Sequence, residues 1–334
     1  MQNRNFQSLL GKYFAGGWLT ITDGLISSFF HSFILQKNAS KVIEAFKLEK
    51  ITKGNEPIQT LSIPAYDGNN EGVKLMVNSL KELEADVYAA FVHGSFATNE
   101  EINYSDFDGL IIIRDEVFKD KDRLATLAAK VNETRMIMHK IDPLQHHAWF
   151  VMTESDLMDY PVDYLPTEVL AYAKCLLPAS DFELPFVIRS KADYFSPVKA
   201  ICRRIRKISK VQNRPKTLYQ LKSVLSEFMM LPTLYIQARD QRGIFKKFSF
   251  TAAAADFNQN TWSIMEEVSK IRQEWPLFEN EVELRKFRKI GYIWMKYRKK
   301  KGPAIPKQFT ARLNDDFYSR MAELANQVEV NLFR

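Results

Sequence analysis

The chain has 334 residues and a net charge of +7, with 46% hydrophobic, 13% aromatic and 26% charged residues. These proportions exclude a disordered or collagen-like chain, and the length favours two domains over one. The two cysteines, Cys175 and Cys202, are too few for a disulfide framework and form no Cys-x-x-Cys pair, so we expect a cytoplasmic protein.

The first elements in the chain are predicted to be helical. Hydrophobic periodicity indicates helices from residue 6 to about residue 50, within an N-terminal segment of residues 1–59. Residues 13–35 are rich in apolar side chains, but Asp23, His31 and several hydroxyl side chains interrupt them, and no small-residue cleavage site follows. We therefore expect buried or amphipathic helices there and neither a signal peptide nor a membrane span.

Helices and strands then alternate within a predicted domain of residues 60–180. Apolar residues at spacings of three and four indicate helices, and short apolar runs next to turn residues indicate strands. The order helix, strand, loop, strand, helix, strand is typical of a small domain built around one sheet. The predicted elements are a helix over 71–86, strands over 87–92 and 107–113, a helix over 122–139 and a strand over 146–152.

Beyond about residue 190 the pattern is helical throughout. The change of pattern and a cluster of prolines predict a boundary between about residues 160 and 195, followed by a helical domain of residues 190–334. One long helix is predicted over 217–240, with a kink at Pro232. The predicted fold class is α+β: a small mixed-sheet core, N-terminal helices and an all-helical C-terminal domain.

The positive charge is concentrated in two segments. Residues 199–216 hold eight basic residues and no acidic one, and residues 285–301 hold nine basic residues and no acidic one. Phosphate is the natural partner of such segments, so nucleic acid is a candidate ligand. The alternative is a solvated helix face, since the aromatic residues among the bases fall at helical spacing, which more often indicates a core.

Two aspartates, Asp106 and Asp108, lie where a polar stretch meets an apolar strand. Residues two apart in a strand share a face, so we expect the two carboxylates to lie together. At about 5 Å and an effective dielectric near 20 they repel by roughly 3 kcal/mol. A divalent cation is the usual compensation, and Mg²⁺ is typically held by one or two carboxylates and by substrate phosphates.

A phosphate seat is predicted just upstream of the aspartates. Gly94 permits close approach of the backbone, and Ser95 offers an N–H and a hydroxyl to phosphate oxygens. Both residues follow the predicted strand 87–92, whereas the aspartates begin the next one. The metal seat and the phosphate seat are therefore expected at the ends of neighbouring strands.

These residues form a pattern. Gly94 and Ser95 come first, ten residues follow, and Asp106 and Asp108 then enter an apolar strand. The pattern resembles the signature of the DNA polymerase beta-like nucleotidyltransferase superfamily, over roughly residues 75–155. The resemblance implies that the glycine and serine hold a nucleoside triphosphate and that the aspartates bind Mg²⁺ or Mn²⁺, while an acceptor attacks the α-phosphorus and pyrophosphate leaves. Positioning and charge neutralisation would then supply most of the catalysis.

Two other motifs share part of this pattern. Residues 106–109 are similar to the Asp-x-Asp-Gly of haloacid dehalogenase-like phosphatases, but there the apolar strand precedes the first aspartate. An EF-hand loop with Gly109 at its sixth position would begin at Tyr104 and would need helices where strands are predicted. Both motifs are excluded, and a solvated turn before a strand remains as the alternative.

The third predicted strand lacks the carboxylate that members of the superfamily commonly carry there as metal ligand and base. A neutral imidazole at His147 could serve as the base, and Asp142 could reach in from the preceding loop. The alternatives are a packed or partly exposed histidine and a turn aspartate before Pro143. Zinc at His146 and His147 would lack further ligands. The departure leaves open a site that binds nucleotide without turnover.

Two lysines of the helical region are further candidates. Lys246 and Lys247 follow Gly243 at a predicted helix start, where N–H groups favour anions. The resemblance implies that a lysine of the helical domain contacts the triphosphate, so either could do so. Surface solubility is the alternative role.

The sequence as a whole favours a Mg²⁺-dependent, ATP-binding or other NTP-binding nucleotidyltransferase. The acceptor is left open between a small hydroxylated or amino compound, a protein side chain and an RNA end, and no membrane partner is expected. The alternative, from another class, is a nucleotide-binding or nucleic-acid-binding protein whose catalytic site has lapsed.

Overall fold

The computed structural model describes residues 2–15, 27–49, 54–145, 147–276 and 302–333. The described residues form two compact units, which divide between residues 191 and 192. The basic segment 285–301 and His146 lie outside the described residues, so the predictions made for them stay predictions.

The first unit joins helices to a small mixed sheet. The predicted α+β fold class is therefore confirmed. The elements of this unit are α1 (Gln2–Phe14), α2 (Ser27–Leu48), β1 (Gln59–Ile63), α3 (Glu71–Lys81), β2 (Val87–His93), β3 (Asp108–Ile113), α4 (Lys121–Ile141), β4 (Phe150–Thr153), α5 (Thr167–Leu170), β5 (Lys174–Leu177) and β6 (Phe182–Phe186).

Four strands form the main sheet, in the order β4-β3-β2-β5. Strand β2 pairs antiparallel with β3 and β5, and β3 pairs parallel with β4, while β1 and β6 form a separate antiparallel pair. Because β2 and β3 run in opposite directions, the last residue of β2 lies beside the first residue of β3. Both lie at the same end of the sheet's strands, which is called the β2–β3 edge below. His93 and Asp108 are the last partners in that ladder.

Both faces of the main sheet are buried. Ile111 and Ile113 of β3 pack with the apolar side chains of α1 to α4, whereas Leu110 and Ile112 pack with residues of the 157–186 segment. A strand that is covered on both faces needs apolar residues at every position rather than at alternate ones. The continuous apolar run at the start of β3 thus reflects its central place in the core.

Helix α3 lies where its apolar spacing predicts it, but it is shorter than predicted. The side chain of Asn70 caps its first turn by accepting hydrogen bonds from the backbone N–H groups of Gly72 at 3.0 Å and Val73 at 3.3 Å. The helix ends at Lys81, and residues 82–86 form a turn before β2. Helix α4 is capped in the same way by Asp120.

The second unit is helical in its described residues. Its elements are α6 (Phe195–Ser209), α7 (Leu218–Phe228), α8 (Leu231–Asp240), α9 (Lys246–Ala254), α10 (Gln259–Gln273), α11 (Lys307–Thr310) and α12 (Asp315–Phe333). The helix predicted over 217–240 is in fact two helices. Pro232 lies in the first turn of α8, where its missing N–H is not needed, so it begins a helix rather than kinking one.

Three strands were not predicted, and one begins later than predicted. Strands β1, β5 and β6 are four or five residues long, and β6 contains Pro185, which is typical of an edge strand rather than a central one. Strand β4 begins at Phe150 and not at residue 146. Such short segments carry too few residues for a period of two to be distinguished from a loop.

Every helix in the described ranges is too short or too polar to traverse a lipid bilayer.

Candidate active site

The backbone turns sharply after β2 at Gly94. This residue has φ of +71°, a left-handed conformation that glycine adopts without strain. A Cβ atom at position 94 would lie 3.1 Å from Asp108 Oδ2. The following residues form a single turn of 3₁₀-helix, Gly94–Phe96, which is closed when Ala97 N donates to Gly94 O. The turn therefore brings the backbone of Gly94 against the carboxylate of Asp108.

The two aspartates flank Phe107, whose backbone is held by one side chain. Phe107 N donates to Gln145 Oε1 at 2.9 Å, and Gln145 Nε2 donates to Phe107 O at 2.8 Å. The N–H and C=O of one residue point to the same side when that residue is extended, and its neighbours then project to the face opposite its own side chain. Asp106 and Asp108, both half-buried, are thus placed on one face.

The ring of Phe107 fills the opposite face. It is fully buried and lies edge-on to the indole of Trp149, with ring centroids 5.4 Å apart. The same indole covers Gly109, where a Cβ atom would lie 2.4 Å from its ring. Trp149 Nε1 also donates to Thr134 Oγ1 at 2.8 Å. Ring packing therefore fixes the side of the strand that faces away from the aspartates.

His93 also lies at this site, although neither of the two sequence motifs includes it. It is buried, with 6% of its surface exposed, and it pairs with Asp108 across the β2–β3 ladder. Burial lowers the pKa of His93. The charge of Asp108 raises this pKa, whereas the charge of His147 lowers it further. The buried Nε2 atom of His93 has no hydrogen-bond partner among the described residues. The place of this histidine directly before Gly94 at a predicted strand end was the only sequence signal, and this identifies His93 only once the register against Asp108 is known.

The loop between α4 and β4 carries the other two predicted residues. Asp142 is buried, and its Oδ1 accepts a hydrogen bond from Leu144 N at 2.9 Å. This is the contact expected of a turn aspartate that precedes Pro143. His147 is exposed and acts on the pKa of His93, so it lies in the neighbourhood of the β2–β3 edge. Asp142 precedes β4, as predicted, and His147, which was predicted to lie within that strand, precedes it as well.

The donor set suits Mg²⁺ only if substrate completes it. Within the described part of the chain, no group of three or more His, Cys, Asp or Glu side chains is arranged to hold a metal ion. Strand β4, with the sequence FVMT, carries no carboxylate. Two carboxylates are nonetheless the usual protein contribution to Mg²⁺ when phosphates and water supply the remaining oxygens. Asp106 and Asp108 therefore fit such an ion bound together with a nucleotide.

A cavity of about 520 Å³ lies beside the two motifs. Phe96 and Ser105 line it, and each adjoins a predicted site residue, since Phe96 follows Ser95 and Ser105 precedes Asp106. Polar contributions come from Asn70, Glu101 and Lys140, with Asn70 Nδ2 donating to Glu101 Oε1 at 3.3 Å. The loop that joins β2 to β3 thus has open space along one flank.

The predicted lysines and one basic segment lie in the second unit. Lys246 and Lys247 open helix α9, half-buried and exposed respectively. In the segment 199–216, Arg203 and Lys207 are exposed on α6. Three other bases there form ion pairs instead: Arg204 with Glu227, Arg206 with Glu329 and Arg214 with Asp315.

Comparison with known protein families gives a match to one part of the chain. Residues 73–192, about a third of the chain, match the family model described as the nucleotidyltransferase domain. No curated protein and no solved structure matched the chain. The matched range begins in α3 and contains the Gly94 turn, both aspartates and the loop with Asp142 and His147.

Proposed function

Residues 73–192 are a nucleotidyltransferase domain of the polymerase beta-like superfamily, and from this premise we propose that the protein transfers a nucleoside monophosphate from a Mg²⁺-bound NTP to a hydroxyl or amine acceptor. The resemblance drawn from the glycine-serine and Asp-x-Asp motifs is thereby confirmed at the level of the superfamily. What we propose beyond the superfamily is the metal ion, the roles of the site residues and the substrates.

The approach of Gly94 to Asp108 carries this proposal. The residue that would contact phosphate oxygens and the residue that would bind metal lie at the same sheet edge, where a Cβ atom at position 94 would be 3.1 Å from Asp108 Oδ2. A triphosphate whose oxygens bind both the backbone N–H groups and the cation needs these two seats side by side.

Each residue then has a defined task. Asp106 and Asp108 supply carboxylate oxygens to the cation, and the backbone of Gly94 and Ser95 orients the phosphates. When bound, Mg²⁺ (or Mn²⁺) neutralises charge on the phosphate oxygens in the transition state. The repulsion between the two carboxylates, roughly 3 kcal/mol at about 5 Å, is relieved in the same complex.

His147 is the better supported of the two candidate bases. Its imidazole is exposed, so an acceptor hydroxyl or amine can reach it, and its charge acts on the pKa of His93 at the end of β2. Asp142 is buried and already accepts a hydrogen bond from Leu144 N. We assign proton removal to His147 and keep Asp142 as the second candidate.

The partners follow from this assignment. An NTP is the donor substrate, and Lys246 or Lys247 is proposed as a triphosphate contact. The acceptor is a small molecule, a protein side chain or an RNA end; the exposed Arg203 and Lys207 support nucleic acid as one of these. Both cysteines are free and buried, which suits the cytoplasmic location that we propose.

A second candidate function is a nucleotide-binding or nucleic-acid-binding protein without turnover. The observation that favours it is the lack of a carboxylate on β4, where related domains commonly place a third one. With only two carboxylates at the site, nucleotide could bind and persist because no base takes the acceptor's proton.

Pyrophosphate release separates the two functions. The full chain is assayed with Mg²⁺, each NTP in turn and a panel of hydroxyl, amine, protein and RNA acceptors. Acceptor-dependent release that stops with EDTA supports transfer. Nucleotide-induced thermal stabilisation without release under any condition would instead establish the binding protein.

A further inference from the structure

We propose that Gln145 is the positioning residue of the Asp-x-Asp motif. The proposal rests on the proposed function, since it assigns a role to Gln145 only if Asp106 and Asp108 form the metal seat. Gln145 has 3% of its surface exposed and lies in the loop between α4 and β4. In this assignment it acts through the backbone of Phe107.

The carboxamide of Gln145 takes the place of a missing strand. Phe107 lies just outside the sheet, because the β2–β3 ladder stops at the His93 and Asp108 pair and β4 first pairs with β3 at Leu110. The backbone N–H and C=O of Phe107 would therefore have no partner on a neighbouring strand. Gln145 Oε1 accepts from that N–H at 2.9 Å, and Gln145 Nε2 donates to that carbonyl at 2.8 Å. This is the two-bond pattern that a neighbouring strand would provide.

The side chain of Gln145 also contacts the segment that carries the proposed base, His147. Gln145 Nε2 also donates to the carbonyl of His147 at 3.1 Å. One buried amide thus sets the backbone between the two aspartates and the backbone that carries the proposed base. The loop itself is anchored at its start, where Gln145 N donates to Asp142 O at 2.9 Å.

Position matters here because the two carboxylates repel each other. Without a cation they gain by turning apart, and a flexible backbone at Phe107 would allow it. The ring of Phe107, fixed by Phe96 and Trp149, resists rotation on one side, and the carboxamide resists it on the other. Groups that orient metal ligands typically change metal affinity by about 10- to 100-fold when they are removed.

Gln145→Met tests this role, because methionine has nearly the same length but offers neither the N–H donors nor the oxygen. The variant should lose kcat by at least about tenfold with KM for the NTP within about threefold. Binding of Mn²⁺ to the full chain in the presence of a non-hydrolysable NTP, followed by electron paramagnetic resonance, should weaken by about tenfold or more. Gln145→Asn, which is one methylene too short to reach both groups of Phe107, decides the matter by the same readouts if the methionine variant does not fold.

Gln7→Met is the matched control. Gln7 is equally buried, and its Nε2 donates to Asp156 Oδ1 at 2.8 Å beyond the far end of the β3–β4 pair. It should lose thermal stability but keep kcat and Mn²⁺ affinity. Equal losses in both variants, or unchanged kcat and Mn²⁺ affinity in both Gln145 variants, would overturn the positioning role.

The outcomes also separate this proposal from the function on which it rests. If the wild-type chain binds Mn²⁺ but transfers no nucleotide, the proposed function fails, and the Mn²⁺ affinities of the Gln145 variants still decide the positioning role. If it transfers nucleotide and these variants match it, only the positioning role is lost. A wild-type chain that neither transfers nucleotide nor binds Mn²⁺ together with the non-hydrolysable NTP would overturn both.

Discussion

Gly94 and Asp108 approach so closely that a Cβ atom at position 94 would lie 3.1 Å from Asp108 Oδ2. The contact joins the turn after β2 to the first residue of β3, and 13 residues lie between Gly94 and Asp108 in the sequence. Two segments with different proposed partners, phosphate and metal, are thus held as one site before any ligand arrives.

The aspartates should be essential for transfer but not for folding. We expect Asp106→Asn and Asp108→Asn each to reduce nucleotide transfer at least about a hundredfold, because several kcal/mol of charge stabilisation is lost with the cation. In metal-free buffer their melting temperatures should equal or exceed that of the wild type, since one member of a repelling pair is neutralised. Transfer assays and thermal scans in EDTA measure the two effects.

Asp122→Asn provides the control for this pair. Asp122 is exposed in the first turn of α4 and accepts a hydrogen bond from Gln36 at 3.2 Å. Its variant should transfer at the wild-type rate. Retained activity in either Asp106→Asn or Asp108→Asn would remove the basis of the metal seat.

Gly94→Ala should damage both stability and activity. A left-handed backbone costs a non-glycine residue about 1–2 kcal/mol, and the added methyl group must also displace the Asp108 carboxylate. We expect the free energy of unfolding to fall by about that amount, and kcat to fall further than the small unfolded fraction explains. Urea titration and steady-state kinetics separate these contributions.

Gly11→Ala is the corresponding control. Gly11 lies within α1, and a Cβ atom there would have Tyr164 Oη at 3.7 Å, an ordinary contact. Alanine is favoured over glycine inside a helix by up to about 1 kcal/mol, so this variant should be as stable as the wild type or more so. A Gly94→Ala protein with normal kcat would show that the approach to Asp108 is not needed.

The identity of the base can be decided by two substitutions. We expect His147→Ala to reduce kcat by about 10²- to 10⁴-fold, the usual contribution of a positioned base. Asp142→Asn retains the oxygen that accepts from Leu144 N and removes only the charge, so it should change kcat by less than about threefold. The opposite order of effects in single-turnover kinetics would transfer the role to Asp142.

Stability should fall as pH rises through the neutral range because of Glu49. Burial, together with the charges of Asp156 and Asp159, raises the pKa of Glu49 to about 8. Its ordinary value is 4.5, so between these values the unfolded chain loses this proton more readily than the folded one. The resulting stability is fully present below pH 4.5 and is lost as pH rises through about 8.

Thermal scans between pH 6.5 and 8.5 test this dependence. The window lies above the pKa of Asp156, which burial raises to about 6, and the pKa of His93 is lowered below 6.5. The difference in melting temperature between Glu49→Gln and the wild type should grow in favour of the variant as pH rises. Glu44→Gln, exposed on α2 just before Glu49 in the chain, should give a constant difference. A constant difference for Glu49→Gln as well would contradict the assignment.

The fold class and the placement of the two motifs followed from local patterns. The spacing of Val73, Met76 and Leu80 predicts α3, and the apolar run after Asp108 predicts β3. Each signal lies within about ten consecutive residues, so periodicity and turn residues are enough to detect it. The superfamily resemblance rests on the same kind of signal.

Contacts between distant segments could not be predicted in this way. The hydrogen bonds between Gln145 and Phe107 join residues 38 positions apart, through a side chain that no period identifies. His93 required the register of two strands, which depends on where the loop between them closes. Strands β5 and β6 are short and contain or adjoin prolines, so local preference gave no reason to place them in sheets.

The indole of Trp149 lies over Gly109 and beside Phe107, on the reverse side of the strand that bears the aspartates. The protein thereby carries an intrinsic optical reporter next to its proposed metal seat. Any ligand that changes the environment of this ring should alter its fluorescence, and a Trp149→Phe protein identifies which part of the emission comes from that position. Titrations of cation and nucleotide can then be followed without a label, even before an acceptor has been found.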